Sequence, residues 1–575
     1  MTTAVAVLGG GVAGLSAAHE LAERGFEVTV LEGRDVAGGK ARSFPWPGSG
    51  CGGRADLPGE HGFRFFPGFY RHVIDTMRRI PAGAGSGSVL DRLVPATRVL
   101  LAQAGGRNEL VGPAQAPTSL EDFAMITRFL VAWSTSLGIP AVDQAAFVER
   151  LLILLTSCDE RRFGQWEHQS WWRFSGAEGR SEAYGKFLAD GITRTLVAAR
   201  GREMSARSGG TILLQFLFDL TQAGGRIDRL LDGPTSEVWI DPWVAHLTAS
   251  GVRLRLGCPV TGIAVRQGRI ADVTVAPGGV AETVTADHYV AALPVEQLRL
   301  LVSPELRAAD PQLARLDRLV TRWMNGVVFY LDKDVRLVHG HAIYVDSPWA
   351  LTSVSQRQFW PRFDPAAHGD GRVEGLFSVD VSEWERPAPR LGKVASKCTR
   401  EEIVEEVWAQ LKDHLDDDAQ RELEDANLLG AFLDPSIQFP NPSGTTNLEP
   451  LLINTAGSWE DRPDARTRIP NLYLASDFVR THTDLASMEG ANEAARRAVN
   501  AILAATASPA PRCGVWPLRE PAAFAPARAL DRVLWRLGRR RQPLLRLTPG
   551  GDLEPTGPVA SALVRVLPRV WPRRH

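Results

Sequence analysis

Three glycines and one carboxylate near the N-terminus are spaced as a dinucleotide-binding site requires. Gly9, Gly11 and Gly14 stand in G-x-G-x-x-G spacing after V-A-V-L, and Glu32 ends a second apolar run, V-T-V-L-E. Such glycines let the backbone approach a pyrophosphate at the positive start of a helix. An acidic residue about 20 positions further on accepts hydrogen bonds from ribose hydroxyls. The pattern predicts a bound dinucleotide; a glycine-rich turn without a ligand is the alternative.

These residues can meet only if a strand, a tight turn and a helix are followed by a second strand. Residues 5–8 are apolar and partly β-branched, which favours a buried strand. Residues 15–24 have apolar side chains at helical spacing, and the run that ends at Glu32 has the composition of another strand. This order of elements is the βα unit that opens a Rossmann-like α/β domain.

The segment after Glu32, G-R-D-V-A-G-G-K-A-R, indicates which dinucleotide is bound. Gly33, Arg34, Gly39 and Lys40 would place bare backbone and cations where the chain folds back along the diphosphate and ribityl of a flavin. The pattern E-x-R-D-x-x-G-G-K resembles the segment shared by flavin-containing amine oxidases and plant-type phytoene and ζ-carotene desaturases. Lys40 is closer to the desaturases, since the amine oxidases usually carry Arg there. The resemblance implies that the cofactor is FAD.

A second block, residues 59–70, reads G-E-H-G-F-R-F-F-P-G-F-Y. It is similar to the desaturase segment that passes beside the isoalloxazine ring. The resemblance implies that Arg64 and Phe65 lie nearest the flavin. The alternative is an aromatic-rich core turn, in which the same rings pack together without any ligand.

A third block lies near the other end of the chain, at residues 471–503. L-Y-L-A-S-D predicts a strand ending at Asp477, and S-M-E-G-A opens a segment with helical apolar spacing. The block is similar to the closing FAD motif of the same superfamily. By that similarity, Asp477 holds the diphosphate–ribityl part, and the helix start at Met488 points its amides at the flavin. Ser476 departs from the family pattern, which usually has Gly at this position.

A fourth stretch begins at R-L-L-D-G-P and continues through V-R-L-R-L-G-C-P-V. It looks like the path of plant-type desaturases from the substrate domain back to the FAD domain. The resemblance implies that the backbone of Val260 contacts adenine. Altogether the resemblance covers most of residues 3–505 and is weak between roughly 80 and 205.

The resemblance implies an α/β fold with two interleaved domains: a Rossmann-like FAD-binding domain of the amine oxidase and phytoene desaturase type, and a mixed-sheet substrate domain with a helical lid. A chain of 575 residues exceeds what one core usually supports, which agrees with this division. We assign FAD-binding segments to 1–75, 246–304 and 456–508, a helical substrate or lid region to 76–245, the substrate sheet to 305–455 and a basic tail to 509–575.

The region 76–245 contains two features that bear on substrate binding. Residues 81–112 are rich in Gly, Ala and Ser and predict a loop or hairpin excursion. Further on, Trp166, Trp171 and Trp172 lie between two apolar runs of helical pattern. We interpret these residues as part of a lid over an apolar cavity, and a plain buried core is the alternative explanation.

The composition is that of a large intracellular enzyme. The chain is 44% hydrophobic with a formal net charge of −1. No run of about 18 apolar residues predicts a membrane span, and the first strand begins too early to leave room for a targeting peptide. Five scattered cysteines indicate reduced thiols, and twelve histidines show no metal-binding pattern. We therefore expect a cytoplasmic protein without a metal site.

Positive charge is concentrated in the C-terminal tail. Residues 511–575 hold thirteen Arg against four Asp and Glu, a net of +9, which leaves −10 on the rest of the chain. Val533 and Leu537 belong to an apolar series at helical spacing among arginines, and residues 560–570 are also apolar and basic. Such a tail can contact an anionic membrane surface at the inner face. It could instead pack on the acidic body or be partly disordered, and no motif suggests nucleic acid.

Together these observations predict an FAD-dependent oxidoreductase. By the resemblance, it dehydrogenates or isomerises a long apolar isoprenoid or carotenoid-like substrate by hydride transfer to flavin, and its electron acceptor is open. No Ser-His-Asp or Cys-His arrangement marks a catalytic residue. The alternatives are a flavin amine oxidase, a hydroxysqualene-type dehydroxylase and, less favoured, a non-catalytic prenyl-binding escort protein of the same fold.

A few individual residues help to distinguish these candidate functions. The chain has only six lysines, whereas amine oxidases commonly carry a lysine near the flavin. Gln215 stands where a phytoene desaturase is expected to have a basic residue, so substrate handling would differ. The presence of Asp477 and Met488 argues against an escort protein, which needs no redox-competent flavin.

Overall fold

The computed structural model describes residues 2–83, 87–105, 107–113, 135–191, 200–221, 228–416, 421–441, 444–539 and parts of 541–561. The chain divides into two compact units. The first comprises residues 1–115, 226–453 and 460–517, and the second comprises residues 116–225, 454–459 and 518–575. Both units are therefore built from segments that lie far apart in the sequence.

A parallel five-stranded sheet, the nucleotide sheet, forms one half of the first unit. Its central strand is buried and lies between two strands from distant parts of the chain, which pair with it in parallel. Parallel sheets are covered on both faces, which explains why these strands are almost continuously apolar. The strands are, in spatial order, Leu472–Leu474, His288–Ala291, Ala4–Leu8, Glu27–Leu31 and Arg253–Arg255.

A seven-stranded mixed sheet forms the other half of the first unit. In spatial order its strands are Leu428–Leu433, Asn325–Leu331, Gly375–Val381, Leu351–Ser355, Gly340–Tyr344, Arg98–Gln103 and Arg107–Pro113. The helix Arg400–Leu415 packs on one face and begins with a capping box between Thr399 and Glu402.

Successive side chains of the mixed sheet point to opposite faces. Val379 and Val381 lie in the core under the helix Arg400–Leu415, whereas Leu376 packs with Phe63 in a second core on the opposite face. Asp380, between two residues of the first core, therefore belongs to the face that carries Phe63. The same alternation places His341 on that face.

The first unit is completed by smaller sheets and by helices. The smaller sheets pair Ser43–Pro45 with Pro58–Glu60, Leu93–Pro95 with Arg229–Leu231, Val320–Arg322 with Leu451–Ile453 and Ile437–Asn441 with Gly444–Asn447, and a three-stranded sheet joins Val260–Arg266, Arg269–Val275 and Glu282–Val284. The remaining helices are Val12–Ala22, His72–Arg79, Asp241–Ala249, Val295–Leu301, Pro304–Ala309 and Met488–Ala505, and a helical turn covers Ser236–Ile240.

The second unit is mainly helical in its described residues. Trp166, Trp171 and Phe174 are buried, and the centroids of the two tryptophan rings lie 5.0 Å and 5.8 Å from that of the Phe174 ring. This packing is that of a core, and a covering role over substrate stays a prediction. The helices are Ala141–Leu155, Asp159–Arg161, Arg162–Trp166, Trp171–Ser175, Tyr184–Gly191, Ala206–Thr221 and Ala525–Arg536, and one strand pair joins Leu545–Leu547 to Leu553–Pro555.

The mixed α/β fold predicted from the sequence is confirmed, and the loop or hairpin excursion predicted at residues 81–112 contains a hairpin. The hairpin Arg98–Gln103 and Arg107–Pro113 extends the mixed sheet, because Arg98–Gln103 pairs in parallel with Gly340–Tyr344. Such a long-range pairing leaves no local trace in the sequence. Residues 114–134, 192–199 and 222–227, parts of the predicted helical region, lie outside the described residues. Among the helices that are described, none is long and apolar enough to cross a membrane.

Candidate nucleotide-binding site

The glycine loop joins the central strand Ala4–Leu8 to the helix Val12–Ala22. Gly9 has a φ of +107°, and its amide donates to the Leu31 carbonyl at 2.8 Å. Gly14 packs so closely on this turn that an added Cβ would lie 1.9 Å from the Gly9 carbonyl oxygen. The loop therefore holds one tight shape that only glycine permits.

Gly38 and Gly39 lie across from the glycine loop. The Gly38 amide donates to the Gly10 carbonyl at 2.8 Å, and a Cβ on Gly39 would lie 2.9 Å from Gly11 Cα. Two stretches of bare backbone thus meet at the N-terminus of the first helix, where the helix dipole is positive. Bare backbone and a positive helix end are what a pyrophosphate needs, so this cradle fits the predicted dinucleotide.

Glu32 is oriented toward the same cradle. The side chain is 5% exposed; Oε2 accepts a hydrogen bond from the Gly10 amide at 2.7 Å and Oε1 accepts one from the Arg34 amide at 2.9 Å. Each carboxylate oxygen has a further lone pair. The carboxylate is therefore held in place and can still accept hydrogen bonds from ribose hydroxyls.

We expect the Glu32→Ala variant to lose bound flavin on dialysis. Hydrogen bonds from ribose hydroxyls to a carboxylate contribute roughly 1.5–3 kcal/mol each, so their loss should lower affinity at least tenfold. Flavin absorbance per protein after dialysis measures the effect. Glu27→Ala is the matched control, because Glu27 lies at the start of the same strand with its side chain 47% exposed and paired with Arg253. A Glu32→Ala variant that keeps its full yellow colour would show that the ribose assignment is wrong.

The cations that follow Glu32 are neutralised by carboxylates from distant segments. Glu449, buried, pairs with Arg42 at 2.9 Å and also with Arg34. Burial raises its pKa, but the neighbouring cations, Arg42 first, outweigh burial and hold the pKa below its usual value. Lys40 Nζ lies 2.7 Å from Glu296. Contact of Arg34 and Lys40 with a diphosphate stays a prediction, since both have protein partners here.

Gly33 and Val260 belong to the ribose end of the cradle. The Cys258 amide donates to the Glu32 carbonyl at 2.8 Å, and a Cβ on Gly33 would lie 3.3 Å from Pro259 Cα. Val260 follows directly as the first residue of the strand Val260–Arg266. Val260 therefore lies two residues after Cys258, which is hydrogen-bonded to Glu32. The contact of Val260 with adenine stays a prediction.

Asp477 sits in a loop that a buried arginine organises. Arg462, 1% exposed, donates from Nη2 to the Asp477 carbonyl at 3.2 Å and from Nε to the Phe478 carbonyl at 2.9 Å. Ser476 Oγ donates to Asp477 Oδ1 at 3.3 Å. Asp477 also lies within electrostatic reach of Glu296, the partner of Lys40. The loop after the outer strand of the nucleotide sheet is therefore held by Arg462, and it lies near the carboxylate that pairs with Lys40.

Met488 is the first residue of the closing helix, Met488–Ala505. The Ser487 side chain caps this helix by accepting from the Gly490 amide at 3.2 Å. Further along, Asn492 donates to Ser16 Oγ of the first helix at 2.8 Å. The N-termini of both helices thus belong to one cluster of elements, as joint binding of a flavin dinucleotide requires.

Arg64 and Phe65 lie between the glycine cradle and the mixed sheet. Arg64 donates to the Gly62 carbonyl at 2.7 Å and to the Lys40 carbonyl. The backbone of Phe65 bridges to Leu230, and its ring meets the His341 ring edge-on at 5.4 Å. The predicted flavin-facing pair therefore connects the nucleotide cradle to the sheet on which a substrate would rest.

Two buried carboxyl groups lie within electrostatic reach of Arg64. Burial raises the pKa of Glu60 to about 7 and that of Asp380 also to about 7, with Arg64 offsetting part of each shift. Glu60 Oε1 accepts from Ser43 Oγ at 2.8 Å and from the Thr235 amide at 2.9 Å. Both groups therefore carry a proton for part of the time near neutral pH.

The raised pKa of Glu60 makes stability depend on pH in a defined direction. Between about pH 4.5 and 7 the unfolded chain releases this proton while the folded protein keeps it. Folding therefore becomes less favourable as pH rises through that window. We expect Glu60→Gln to remove this dependence, so that its stability relative to wild type is up to about 3 kcal/mol greater at pH 8 than at pH 5. Urea unfolding at both pH values tests this; an equal difference at the two pH values would contradict it.

Several residues of this region have no local sequence signal. Glu449 and Glu296 neutralise the predicted cations, and His341 and Asp380 lie on the sheet beside Phe65. The sequence signal that could have indicated Asp380 is a charged residue inside an apolar strand. The strand G-L-F-S-V-D-V contains Asp380, and every residue of that strand is buried. Within the described ranges no group of three His, Cys, Asp or Glu residues is arranged to hold a metal ion, and all five cysteines are free thiols.

Comparisons with known proteins extend over the same elements. The model of the family described as flavin containing amine oxidoreductase matches residues 12–503. The 15-cis-phytoene desaturase of Narcissus pseudonarcissus is 25% identical over 509 residues, covering 85% of this chain and 77% of the relative. The carotenoid phi-ring synthase of Streptomyces griseus is 27% identical over 526 residues, covering 87% of both chains.

Solved structures share the fold at lower identity. A structure of putrescine oxidase bound to putrescine superposes with a TM-score of 0.56 at 14% identity, covering 88% of this chain and 99% of the oxidase. At that identity the likeness extends to the fold alone. The chain is thus similar in sequence to carotenoid enzymes and similar in fold to amine oxidases.

Proposed function

Because the chain belongs to the family of flavin-containing amine oxidoreductases, we propose that its flavin is FAD and that it oxidises a long apolar isoprenoid of the carotenoid class. The chain is a flavin-dependent oxidoreductase. Our proposals concern which flavin it binds and which substrate it oxidises.

The proposal of FAD rests on the ribose end of the cradle. A flavin mononucleotide has no adenosine, whereas a flavin adenine dinucleotide presents the ribose of adenosine and a pyrophosphate. Glu32 is suited to bind the ribose, and the backbone at Gly11 and Gly39, which carries no side chains, is suited to bind the pyrophosphate. The backbone amides of the closing helix at Met488 would lie at the other end of an extended FAD molecule, beside the flavin ring.

The proposal of an isoprenoid substrate rests chiefly on the curated relatives. The desaturases and phi-ring synthases align along most of the chain. A tryptophan oxidase of Lentzea aerocolonigenes is more identical, at 45%, but over only 76 residues. Amine oxidation is therefore the weaker alternative.

The residues of this chain position the substrate, exclude water from the site and provide a favourable electrostatic environment. When bound, a flavin accepts hydride from the substrate carbon. The aromatic residues of the segment that carries Arg64 exclude water, since Phe63, Phe66, Phe69 and Tyr70 are all buried. The positive start of the closing helix would stabilise the negative charge that a bound flavin gains on reduction.

Anaerobic mixing separates the candidate substrates. We expect 15-cis-phytoene or a carotenoid with cyclic end groups, presented in detergent micelles, to bleach the bound flavin, with loss of hydrogen from the polyene detected by mass. Putrescine and L-tryptophan should leave the flavin oxidised. Bleaching by an amine and not by either polyene would overturn the substrate proposal.

We propose in addition that the C-terminal tail contacts an anionic membrane surface. The helix Ala525–Arg536 is held in its unit through buried Asp531, which pairs with Arg161 at 3.0 Å. Val533 and Leu537 remain 53% and 67% exposed beside basic side chains. Residues 562–575, which continue the basic tail, lie outside the described residues.

Co-sedimentation with vesicles tests this contact. We expect wild type to bind phosphatidylglycerol-containing vesicles, to bind less as salt is raised, and to ignore neutral phosphatidylcholine vesicles. Val533→Asp together with Leu537→Asp should weaken binding several-fold. Val280→Asp is the control, because Val280 is 71% exposed in the other unit. Equal binding by all three proteins would count against the tail.

A further inference from the structure

A buried Asp–His pair lies on the mixed sheet where Phe63 and Phe65 pass over it. His341 Nε2 is hydrogen-bonded to Asp228 Oδ2. The His341 side chain is 16% exposed and that of Asp228 is 8% exposed. The imidazole can therefore be reached from one side, while its partner is almost enclosed.

The surroundings of this pair are the residues expected beside the flavin. The His341 ring lies 5.2 Å from the Phe63 ring and 5.4 Å from the Phe65 ring. On the other side, the Tyr70 phenol is hydrogen-bonded to Ser487, the cap of the closing helix, and lies within electrostatic reach of Asp228. The pair is thus bounded by the two segments that meet at the predicted isoalloxazine position.

Polar atoms at this place lack partners among the described residues. Asp228 Oδ1 and Asp380 Oδ1 are buried and accept no hydrogen bond in that part of the chain. An unsatisfied buried carboxylate oxygen is costly. A hydrocarbon substrate has no polar group that would satisfy them, so polar groups at an apolar binding surface call for a chemical role rather than a binding role.

We propose that His341 accepts the proton that the isoprenoid loses next to the carbon that gives up hydride, and that Asp228 positions the imidazole for this step; the inference rests on the proposed function. One carbon–hydrogen bond breaks with its electron pair leaving as hydride to the flavin. The neighbouring carbon–hydrogen bond breaks with its proton passing to a ring nitrogen of His341. Its electron pair becomes the new carbon–carbon double bond, so the polyene is oxidised and the flavin reduced by two electrons.

The charge environment suits a proton acceptor. The charged and titratable groups near the pair, within the described ranges, are Asp380 on the same face two strands away, Arg64 and Tyr70 from the overlying segment, and Glu489 behind Tyr70. Asp228 and Asp380 both favour the imidazolium that forms. The position of Asp228 is that of the carboxylate that orients a histidine in other proton-transferring sites.

The test compares binding with reaction in the holoenzyme. In His341→Gln we expect the dissociation constant for 15-cis-phytoene, measured from the flavin spectrum, to stay within about twofold of wild type. The rate of anaerobic flavin reduction should fall about 100-fold or more. Asp228→Asn should slow reduction at least tenfold while it keeps the same affinity.

A second Asp–His pair supplies the control. His414 Nε2 lies 3.0 Å from Asp346 in the core under the helix Arg400–Leu415, and His414→Gln should leave the rate of flavin reduction unchanged. If wild type is reduced by the polyene but His341→Gln reacts within threefold of it, the inference fails and the proposed function stands. If affinity falls by the same factor as the rate, or both variants lose their flavin, the pair has a binding or structural role and the inference fails. If no polyene reduces wild-type flavin, the proposed function fails and the inference with it.

Discussion

Replacing Gly14 with alanine should yield a protein that purifies without flavin. The added Cβ would lie 1.9 Å from the Gly9 carbonyl oxygen, far inside van der Waals contact, and the obstructing atom belongs to the backbone. The first helix must shift away from the turn, and the amides at its start then leave the pyrophosphate position. Absorbance of the purified protein, before and after reconstitution with FAD, measures the loss.

The matched control is Gly262→Ala. Its Cβ would lie 3.6 Å from Thr274 at ordinary contact distance, on the strand Val260–Arg266 of the same unit. This variant should be as yellow as wild type. A Gly14→Ala protein that retains stoichiometric flavin would show that the glycine loop does not hold the cofactor.

Replacing Arg462 with methionine should destabilise the protein and release flavin together. Arg462 is buried, pairs with Asp484, and donates to three successive carbonyls that include Asp477 and Val479, the latter at 2.8 Å. Removing one partner of a buried ion pair costs about 3–5 kcal/mol. Without these hydrogen bonds the loop no longer holds Asp477 in place. We expect a lower urea midpoint and at least a tenfold weaker flavin affinity.

Arg318→Met tests whether these losses are specific to the buried site. Arg318 is 70% exposed and pairs with Asp461 at 3.2 Å, and surface pairs of this kind contribute about 0–1 kcal/mol. Both flavin content and stability should therefore stay close to wild type. An Arg462→Met protein as stable as Arg318→Met would refute the role given to Arg462.

Local patterns in the sequence predicted the elements that a dinucleotide needs. The glycine loop, the strand that ends at Glu32 and the closing helix each depend on neighbours within a few residues, and each is present, with the last helix beginning at Met488. These features are encoded by short-range sterics and amphipathic spacing.

The remaining features depend on pairing across long distances. Glu449 neutralises Arg34 and Arg42 from more than 400 residues away, and no spacing rule connects such partners. The Asp228–His341 pair was missed for the same reason: it forms only when residues near Leu230 pair with the backbone of Phe65 over the mixed sheet. Neither Asp228 nor His341 belongs to a recognisable motif in its own segment of the sequence.

The strand order of the nucleotide sheet has a consequence for biosynthesis. Ala4, in the middle strand, is bonded to Asp287, 283 residues later, and the outer strand Leu472–Leu474 follows later still. At 5–20 residues per second, a ribosome needs roughly 15 to 60 s to supply this neighbour, whereas the neighbour on the other side, Glu27–Leu31, is made almost at once. Until then, one edge of the strand Ala4–Leu8 stays unpaired. Flavin can therefore bind only after most of the chain has been synthesised, and cells starved of riboflavin should accumulate the completed but empty polypeptide.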